Sequence, residues 1–215
     1  MHFNYNAVDK LICSEFDVLN RVVCIVEGDG EVAALPVLLR RLAQWLTPHR
    51  EIRVLPPLRV HRNRFLNKPE QFSRYIQLAA AKCGLEGWLL ILLDADDDCP
   101  ATCGAEILRI ARAQAPHRDI SVVLANREYE AWFLAAAQSL CGCRDFSVQE
   151  SEIPADPEAR RDAKGWVGHR MGKPYHEMTD QPALSACMDL AVAREKSRSF
   201  RKLCDEWTRA FPLNQ

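Results

Sequence analysis

The sequence predicts an α/β fold: an open, mostly parallel sheet flanked by helices, with a C-terminal helical extension. Two apolar runs, at residues 21–26 and 88–93, lack polar alternation and are typical of strands buried on both faces. Strand-like and helix-like segments alternate four times along the chain, which favours parallel pairing through helical connections. Such sheets carry their ligand sites beyond the carboxyl ends of the strands, so we expect functional residues directly after each strand.

The individual elements follow from local patterns. Apolar residues between 31 and 46 recur at helical spacing, and Gly84 ends a second helical pattern. Pro56 and Pro57 restrict any strand near them to a short, broken or edge position. The predicted strands are 21–26, 52–60, 88–93 and 119–125, and the predicted helices are 31–46, 69–83, 99–115 and 127–140.

The composition changes in the last third of the chain. Prolines, glycines and dense charges interrupt the helical periodicity over residues 142–179, which predicts a long loop or a small extension. Helical character returns at 183–194 and 199–210. We therefore expect an α/β domain over residues 1–141, and over residues 142–215 a loop and helical extension that packs on the same domain.

Composition and hydropathy exclude several classes of protein. The 215 residues include 28 Lys or Arg and 29 Asp or Glu, a formal net charge of −1, which argues against binding nucleic acid through bulk positive charge. No apolar run approaches the roughly 20 residues of a membrane span, and residues 1–9 lack the features of a secretory signal. We expect a cytoplasmic protein without a membrane partner.

The nine cysteines are expected to be reduced thiols. Their number is odd, and several lie in predicted core segments, where cysteine behaves as a small hydrophobic residue. Cys99 and Cys103 form one close pair, and Cys141 and Cys143 form another. Neither pair has the neighbouring histidines or the matching second pair of a zinc site, so ordinary thiols are favoured over zinc.

Acidic residues follow the two most apolar strands. Glu27 lies at the turn out of the first strand, and Glu31 lies in the first turn of the next helix. Gly28 and Gly30 remove side chains where a ligand or backbone must approach closely. In the segment Asp94-Ala95-Asp96, two carboxylates at the end of an extended strand are expected to project to one side.

Carboxylates in this arrangement favour Mg²⁺ or Mn²⁺. Neighbouring carboxylates raise each other's cost of ionisation unless a cation lies between them, and a ligand set without His or Cys suits a hard ion better than zinc. Two ordinary alternatives stay open: acidic residues suit the start of any helix, and residues 94–98 could form a solvated turn that caps the next helix. The placement of both acidic segments after buried strands favours the metal site.

The two acidic segments resemble the Toprim domain of topoisomerases, primases and nucleases of the overcoming-lysogenization-defect type. Glu27-Gly-Asp-Gly-Glu31 matches its E-G-x-x-E element and Asp94-Ala-Asp96 its D-x-D element, and the resemblance covers roughly residues 21–140. It implies phosphoryl transfer with Mg²⁺, in which Glu27 is the glutamate at the first strand end and Asp94 and Asp96 are the metal-binding aspartates.

Three further segments resemble the bacterial DUF4276 family, which is regarded as Toprim-like. They are Asn126-Arg-Glu-Tyr-Glu-Ala-Trp132, Asp180-Gln-Pro-Ala-Leu-Ser-Ala and Ala193-Arg-Glu-Lys-Ser-Arg-Ser-Phe200. This resemblance implies an ATPase partner encoded nearby and a role in anti-phage defence. Glu128 and Glu130 resemble the extra carboxylate position of two-metal Toprim nucleases, and we prefer Glu130 as a metal ligand; an acidic first helical turn is the alternative.

Two basic tracts, at residues 50–74 and 194–202, suggest contacts with phosphates. We expect Arg59, Arg62 and Arg64 in the first tract and Arg198 in the second to bind nucleic acid, with a solvated charged surface as the alternative. Lys196 is predicted to stabilise the charge that develops at phosphorus or at the leaving oxygen, and a helix-terminal cation is the alternative here.

The expected function is phosphodiester hydrolysis by a Mg²⁺- or Mn²⁺-dependent nuclease that acts on DNA or RNA in anti-phage defence. The metal ligands are expected to be Glu31, Asp94, Asp96 and Glu130, and Glu27 binds the ion or acts as general base for the attacking water. The catalytic set is then Glu27, Asp94, Asp96 and Lys196. Two other functions stay open: a non-catalytic effector or regulatory subunit of an ATPase, and a metal-dependent phosphotransfer enzyme acting on a nucleotide.

Overall fold

A computed structural model describes residues 20–212, so the predictions for residues 1–9 and for the start of the first domain lie outside the described residues. The strands are β1 (Asn20–Val26), β2 (Ile52–Val54), β3 (Leu58–Arg59), β4 (Trp88–Asp94) and β5 (Asp119–Ala125). Their order across the sheet is β2-β1-β4-β5, β3 also pairs with β1, and all these pairings are parallel. The predicted α/β fold with a parallel sheet is confirmed.

Helices cover both faces of the sheet. They are α1 (Asp29–Leu46), α2 (Arg62–Asn67), α3 (Pro69–Cys83), α4 (Pro100–Gln114), α5 (Ala131–Ala135), α6 (Ala163–Arg170), α7 (Glu177–Cys187), α8 (Leu190–Lys196) and α9 (Arg198–Ala210). Alternate strand residues face opposite core layers. Val22 and Leu90 pack under α1 and the C-terminal helices, whereas Val23 and Leu89 pack under α3 and α4. This two-sided burial explains the unbroken apolar runs of β1 and β4.

The segment after β5 is less helical than its sequence predicts. The helix predicted over 127–140 is reduced to α5 and a 3₁₀ turn at Ala137–Leu140. Arg127 adopts a left-handed backbone with φ 68°, and the Tyr129 amide donates to the Asp94 carboxylate instead of to a helical carbonyl. The residues directly after β5 are therefore held against the end of β4.

The C-terminal extension is more helical than predicted. Helix α6 lies where a loop was expected, and it is capped by Asp162, whose carboxylate accepts a 3.0 Å hydrogen bond from the Gly165 amide. The helix predicted over 183–194 is divided into α7 and α8, because Asp189 caps α8 by accepting hydrogen bonds from the Ala191 and Val192 amides.

One pair of cysteines corrects the expectation of reduced thiols. Cys143 and Cys187 form a disulfide that ties the segment after α5 to the end of α7. Cys24, Cys83 and Cys204 are free and buried in the core, as predicted for cysteines in apolar segments. Among residues 20–212, none of the helices combines the length and the apolar character that a membrane crossing requires.

Candidate functional site

The carboxyl ends of three neighbouring strands bring the predicted acids to one edge of the sheet. β1 pairs with β4 so that Ile25 lies opposite Ile91, and β4 pairs with β5 so that Asp94 lies opposite Ala125. Glu27 follows β1 at the edge where Asp94 ends β4, and Glu130 follows β5 at the same edge. Parallel pairing therefore gathers acids that are far apart in the sequence.

Asp94, Glu31 and Glu130 form the deeper part of this site, which we call the inner acids. Glu130 is only 1% exposed. Gln181 in α7 joins two of them, because its Nε2 donates hydrogen bonds of 3.3 Å to Glu31 Oε1 and to Glu130 Oε1. The Tyr129 amide donates a 2.9 Å hydrogen bond to Asp94 Oδ1. Residues from α1, β4, α7 and the segment after β5 thus meet at one centre.

Burial and repulsion by neighbouring carboxylates disfavour ionisation of Asp94 and Glu130. Burial raises the pKa of Asp94 well above its ordinary value. The charges of Glu130, Glu31 and Glu27 raise it further, while Lys164 acts in the opposite direction. Burial also raises the pKa of Glu130 to about 7, although Lys164 opposes this rise. Carboxylates that repel one another in a buried place are the arrangement that a bound cation stabilises.

Glu27 and Asp96 lie further out than the inner acids. Asp96 has a left-handed backbone with φ 50° and a side chain that is 63% exposed. The extended geometry expected for both aspartates therefore ends at Asp94, where the chain turns. Burial raises the pKa of Glu27, and the charge of Asp96 raises it further. Asp96 thus acts on the site through Glu27 and also forms a 3.4 Å ion pair with Arg62.

A cation that the sequence analysis missed, Lys164 in α6, faces the acids. Its charge lowers the pKa values of Asp94, Glu27 and Glu130. Its Nζ lies 2.6 Å from Glu177 Oε1. Burial acts to lower the pKa of Lys164, but the charges of Glu130 and Glu177 outweigh it and raise the pKa overall. Lys164 therefore stays protonated and supplies a fixed positive charge beside the acids.

Lys196, the predicted catalytic cation, is exposed at the end of α8. It lines a cavity that is formed by residues 135–139 with Ile153 and Val192, and that has no acidic residue in its lining. Glu128, the other acid after β5, accepts a 3.0 Å hydrogen bond from the Lys164 amide and so holds the start of α6. The structure brings Lys164, rather than Lys196, to the charges of the inner acids.

The predicted nucleic-acid contacts divide into two groups. Arg59 and Arg62 lie at the rim of the acidic site, where Arg59 pairs with Asp29 at 2.8 Å and Arg62 with Asp98 at 2.5 Å. Arg64 in α2 and Arg198 at the start of α9 are exposed. Over residues 20–212, neither of these two arginines forms an ion pair.

The inner acids and Gln181 offer oxygen atoms, the ligand type that a hard divalent ion prefers. Glu31 Oε2 and Gln181 Oε1 are buried oxygens without a hydrogen-bond partner, which is an unfavourable state for a polar atom. A Cβ atom on Gly28 would lie 2.2 Å from Glu31 Oε2, and one on Gly30 would lie 2.2 Å from Gln181 Oε1. Glycine at these positions therefore leaves space around both oxygens, and oxygen ligands suit Mg²⁺ or Mn²⁺.

The carboxylates of the inner acids do not form a preassembled metal-binding group. In the part of the chain that the structure describes, no group of three or more His, Cys, Asp or Glu side chains is already positioned to hold a metal ion. This finding covers the inner acids as their side chains stand, and it also covers the cysteine pairs considered for zinc. Binding of an ion at the inner acids would therefore require side-chain rearrangement.

A second buried carboxylate, Glu158, accepts hydrogen bonds from the start of α9. The hydroxyls of Ser197 and Ser199 donate hydrogen bonds of 2.6 and 2.7 Å to Glu158 Oε1, and the Ser199 amide donates one of 2.8 Å. Ser199 Oγ in turn accepts a 2.8 Å hydrogen bond from Trp132 Nε1, and Asn126 Nδ2 lies 3.5 Å from Glu158 Oε2. Glu158 thus joins the segment after β5 to the start of α9.

The raised pKa of Glu130 predicts a pH-dependent stability in the absence of metal. Its pKa rises from an ordinary 4.5 to about 7, so the stability contributed by this group is present below the lower value and is lost as the pH rises through the upper one. We expect the free energy of unfolding of Glu130→Gln, relative to wild type, to be about 2 kcal/mol higher near pH 8 than near pH 5.5. Urea unfolding in chelator at the two pH values measures this difference.

Glu106→Gln is the matched control for this prediction. Glu106 is exposed on α4, so the same substitution there should change stability by less than about 0.5 kcal/mol at either pH. A Glu130→Gln variant that shows the same pH dependence as wild type would contradict the assigned environment of Glu130.

Comparison with known proteins identifies the family. Residues 26–207 match the family described as Domain of unknown function (DUF4276). No curated protein and no solved structure matches the chain. The match spans β1, the acidic edge of the sheet and the helical extension, and it confirms the resemblance drawn from the three segments around Glu130, Gln181 and Ser197. The chain belongs to the DUF4276 family.

Proposed function

We propose that the chain is a Mg²⁺- or Mn²⁺-dependent nuclease whose acidic site is of the Toprim type found in overcoming-lysogenization-defect nucleases. The observation that supports this most strongly is the meeting of Glu27, Asp94 and Glu130 at adjacent strand ends, where burial and like charge raise all three pKa values. A group of acids that are unfavourable to ionise together is an efficient site for a divalent ion.

The inner acids Asp94, Glu31 and Glu130 would hold the ion, with Gln181 Oε1 as a further oxygen. When bound, such an ion makes water more acidic and neutralises charge on a reacting phosphate. Glu27 lies beside this centre, and its raised pKa suits a carboxylate that accepts the proton of the attacking water. Asp96 keeps Glu27 in this state, and its ion pair with Arg62 places a guanidinium at the rim.

Lys164 would stabilise negative charge on the reacting phosphate. Its ammonium group is protonated and is close enough to Asp94 and Glu130 for its charge to act on both. A fixed cation beside the negative charge that develops in the transition state lowers the activation barrier. This role was predicted for Lys196, and the two lysines can be compared directly.

Substitution of the two lysines separates their roles. We expect Lys164→Gln to reduce the rate of metal-dependent cleavage about 100-fold, because it removes a charge beside the reacting group. Lys196→Gln should reduce it less than about threefold if Lys164 supplies that charge. Equal losses in both variants, measured as initial rates on proteins with wild-type melting curves, would contradict the assignment to Lys164.

The proposal extends to the substrate, the location and the partners. Arg59 and Arg62 at the rim and the exposed Arg64 and Arg198 are available to contact DNA or RNA. A cytoplasmic location, a role in anti-phage defence and an ATPase partner follow from the family resemblance alone.

The proposed activity is tested with three substrates. Supercoiled plasmid, linear duplex DNA and tRNA are each incubated with purified protein in Mg²⁺, Mn²⁺ or chelator. We expect cleavage of at least one polymer with a divalent ion and none with chelator. The protein is assayed alone and together with an ATPase encoded nearby. If neither preparation cleaves any polymer with either ion, the nuclease proposal is wrong and a non-catalytic effector is favoured. Release of phosphate from nucleotides alone would instead favour phosphotransfer on a small substrate.

A further inference from the structure

A groove lies beside the inner acids, between α6 and the loop that follows it. Lys164, His169, Lys173 and Tyr175 supply polar groups to its walls, and its volume is about 710 Å³. The loop packs back on α6, since a Cβ atom on Gly168 would lie only 3.1 Å from the Cβ of Tyr175. The groove is large enough for a nucleotide-sized ligand.

Two residues of the groove also face the inner acids. The charge of Lys164 acts on Asp94 and Glu130. The Tyr175 hydroxyl is buried, and burial and the charge of Glu130 raise its pKa. The groove therefore adjoins the acidic site.

Two lysines, Lys164 and Lys173, and one carboxylate, that of Asp162, line the groove. Lys173 is paired only loosely, with its Nζ 3.8 Å from a carboxylate oxygen of Asp145, whose side chain is 85% exposed. His169 is exposed on α6. The Asp162 carboxylate accepts a 3.0 Å hydrogen bond from the Gly165 amide at the start of α6. An anion that enters the groove would therefore meet Lys173 and His169 without displacing a strong ion pair.

We propose that this groove binds the phosphodiester backbone of a nucleic-acid strand next to the bond that is cleaved. This proposal rests on the proposed nuclease function. The inner acids and their ion would take one phosphate, and Lys173 and His169 would take a neighbouring one. Two separate places for phosphate require a substrate with at least two phosphates, which a polymer supplies along its whole length. Lys173 is then a binding residue that fixes the position of the strand.

The test is binding of a fluorescent oligonucleotide of about 20 nucleotides in chelator over a range of salt concentrations, with single-stranded DNA and RNA as probes. We expect Lys173→Ala to weaken binding about five- to tenfold and to lower the salt slope by about one. Lys82→Ala is the matched control, because Lys82 is exposed at the end of α3, at the opposite edge of the sheet. It should change affinity less than about twofold.

Wild-type affinity and salt slope in Lys173→Ala, or an equal loss in Lys82→Ala, would overturn the groove proposal. Lys173→Gln serves as a second variant if the melting curve of Lys173→Ala shows unfolding. Competition by adenosine monophosphate as strong as that of the oligonucleotide would assign the groove to a free nucleotide and also overturn it. Because chelator prevents hydrolysis, a wild-type protein that binds the probe but cleaves no polymer with Mn²⁺ would refute the nuclease proposal alone.

Discussion

Asp94→Asn should reduce metal-dependent cleavage about 1,000-fold or more while the protein stays folded. Asp94 ends β4 at the centre of the site, and its charge is opposed by burial and by the neighbouring acids. Asparagine keeps an oxygen that can accept the hydrogen bond from the Tyr129 amide, but it removes the negative charge that a divalent ion needs. Initial rates in Mn²⁺, together with circular dichroism and melting in chelator, measure both effects.

Asp205→Asn is the control for this substitution. Asp205 is exposed on α9 and pairs with Arg194 at 3.1 Å, away from the residues assigned to the site. The same loss of charge there should leave the cleavage rate within about twofold of wild type. Full activity in Asp94→Asn would remove Asp94 from the mechanism and, with it, the basis for a metal at the inner acids.

Glu158→Ala should destabilise the protein by about 3–4 kcal/mol. The side chain is 5% exposed, and its Oε1 accepts three hydrogen bonds, two from hydroxyls and one from the Ser199 amide. Alanine would leave these buried donors without an acceptor and a space where the carboxylate lay. Because Ser197 also caps α9, the start of that helix should loosen as well. Urea unfolding near neutral pH measures the loss.

The pH dependence of this loss has a defined sign. Burial alone would raise the pKa of Glu158, but the hydrogen bonds from Ser197 and Ser199 outweigh it and lower the pKa. The stabilisation by Glu158 is therefore present above the ordinary carboxylate pKa and is lost as the pH falls through the lower folded value. Glu150→Ala, at an exposed position, should cost less than about 0.5 kcal/mol. A similar small loss for Glu158→Ala would show that the hydrogen bonds do not hold α9.

The central strands could be predicted because burial on both faces requires apolar residues at almost every position of the local sequence. β4 and β5 are apolar on both faces, and the observed bounds Trp88–Asp94 and Asp119–Ala125 differ from the predicted ones by at most one residue. The acids that follow β1 and β4 were found for the same reason, since the ends of parallel strands lie at a common edge. Pro56 and Pro57 likewise predicted the broken pairing of β2 and β3 beside β1.

The rest of the site depends on contacts between distant segments. Gln181 reaches Glu31 and Glu130 from α7, and nothing in its local sequence marks an amide as part of an acidic centre. Lys164 was missed because the glycines around it suggested a loop, although Asp162 two residues earlier is a helix-cap signal. The left-handed backbone of Asp96 is a similar case, since it depends on the turn that follows β4.

The disulfide was missed for a comparable reason. Cys143 and Cys187 are 44 residues apart in the chain, and they meet because α7 returns to the segment after α5. An odd cysteine count and burial in apolar segments describe the free thiols of the core well, but they carry no information on which two exposed segments approach each other.

Direct measurement of Mn²⁺ binding tests the central claim, that the inner acids share a divalent ion. Electron paramagnetic resonance of free Mn²⁺ near pH 8 gives the bound fraction for wild type, Asp94→Asn and Asp205→Asn. We expect wild type and Asp205→Asn to bind the ion with equal affinity and Asp94→Asn to bind it at least about tenfold more weakly. Equal binding by all three proteins, or no binding by wild type, would contradict the claim.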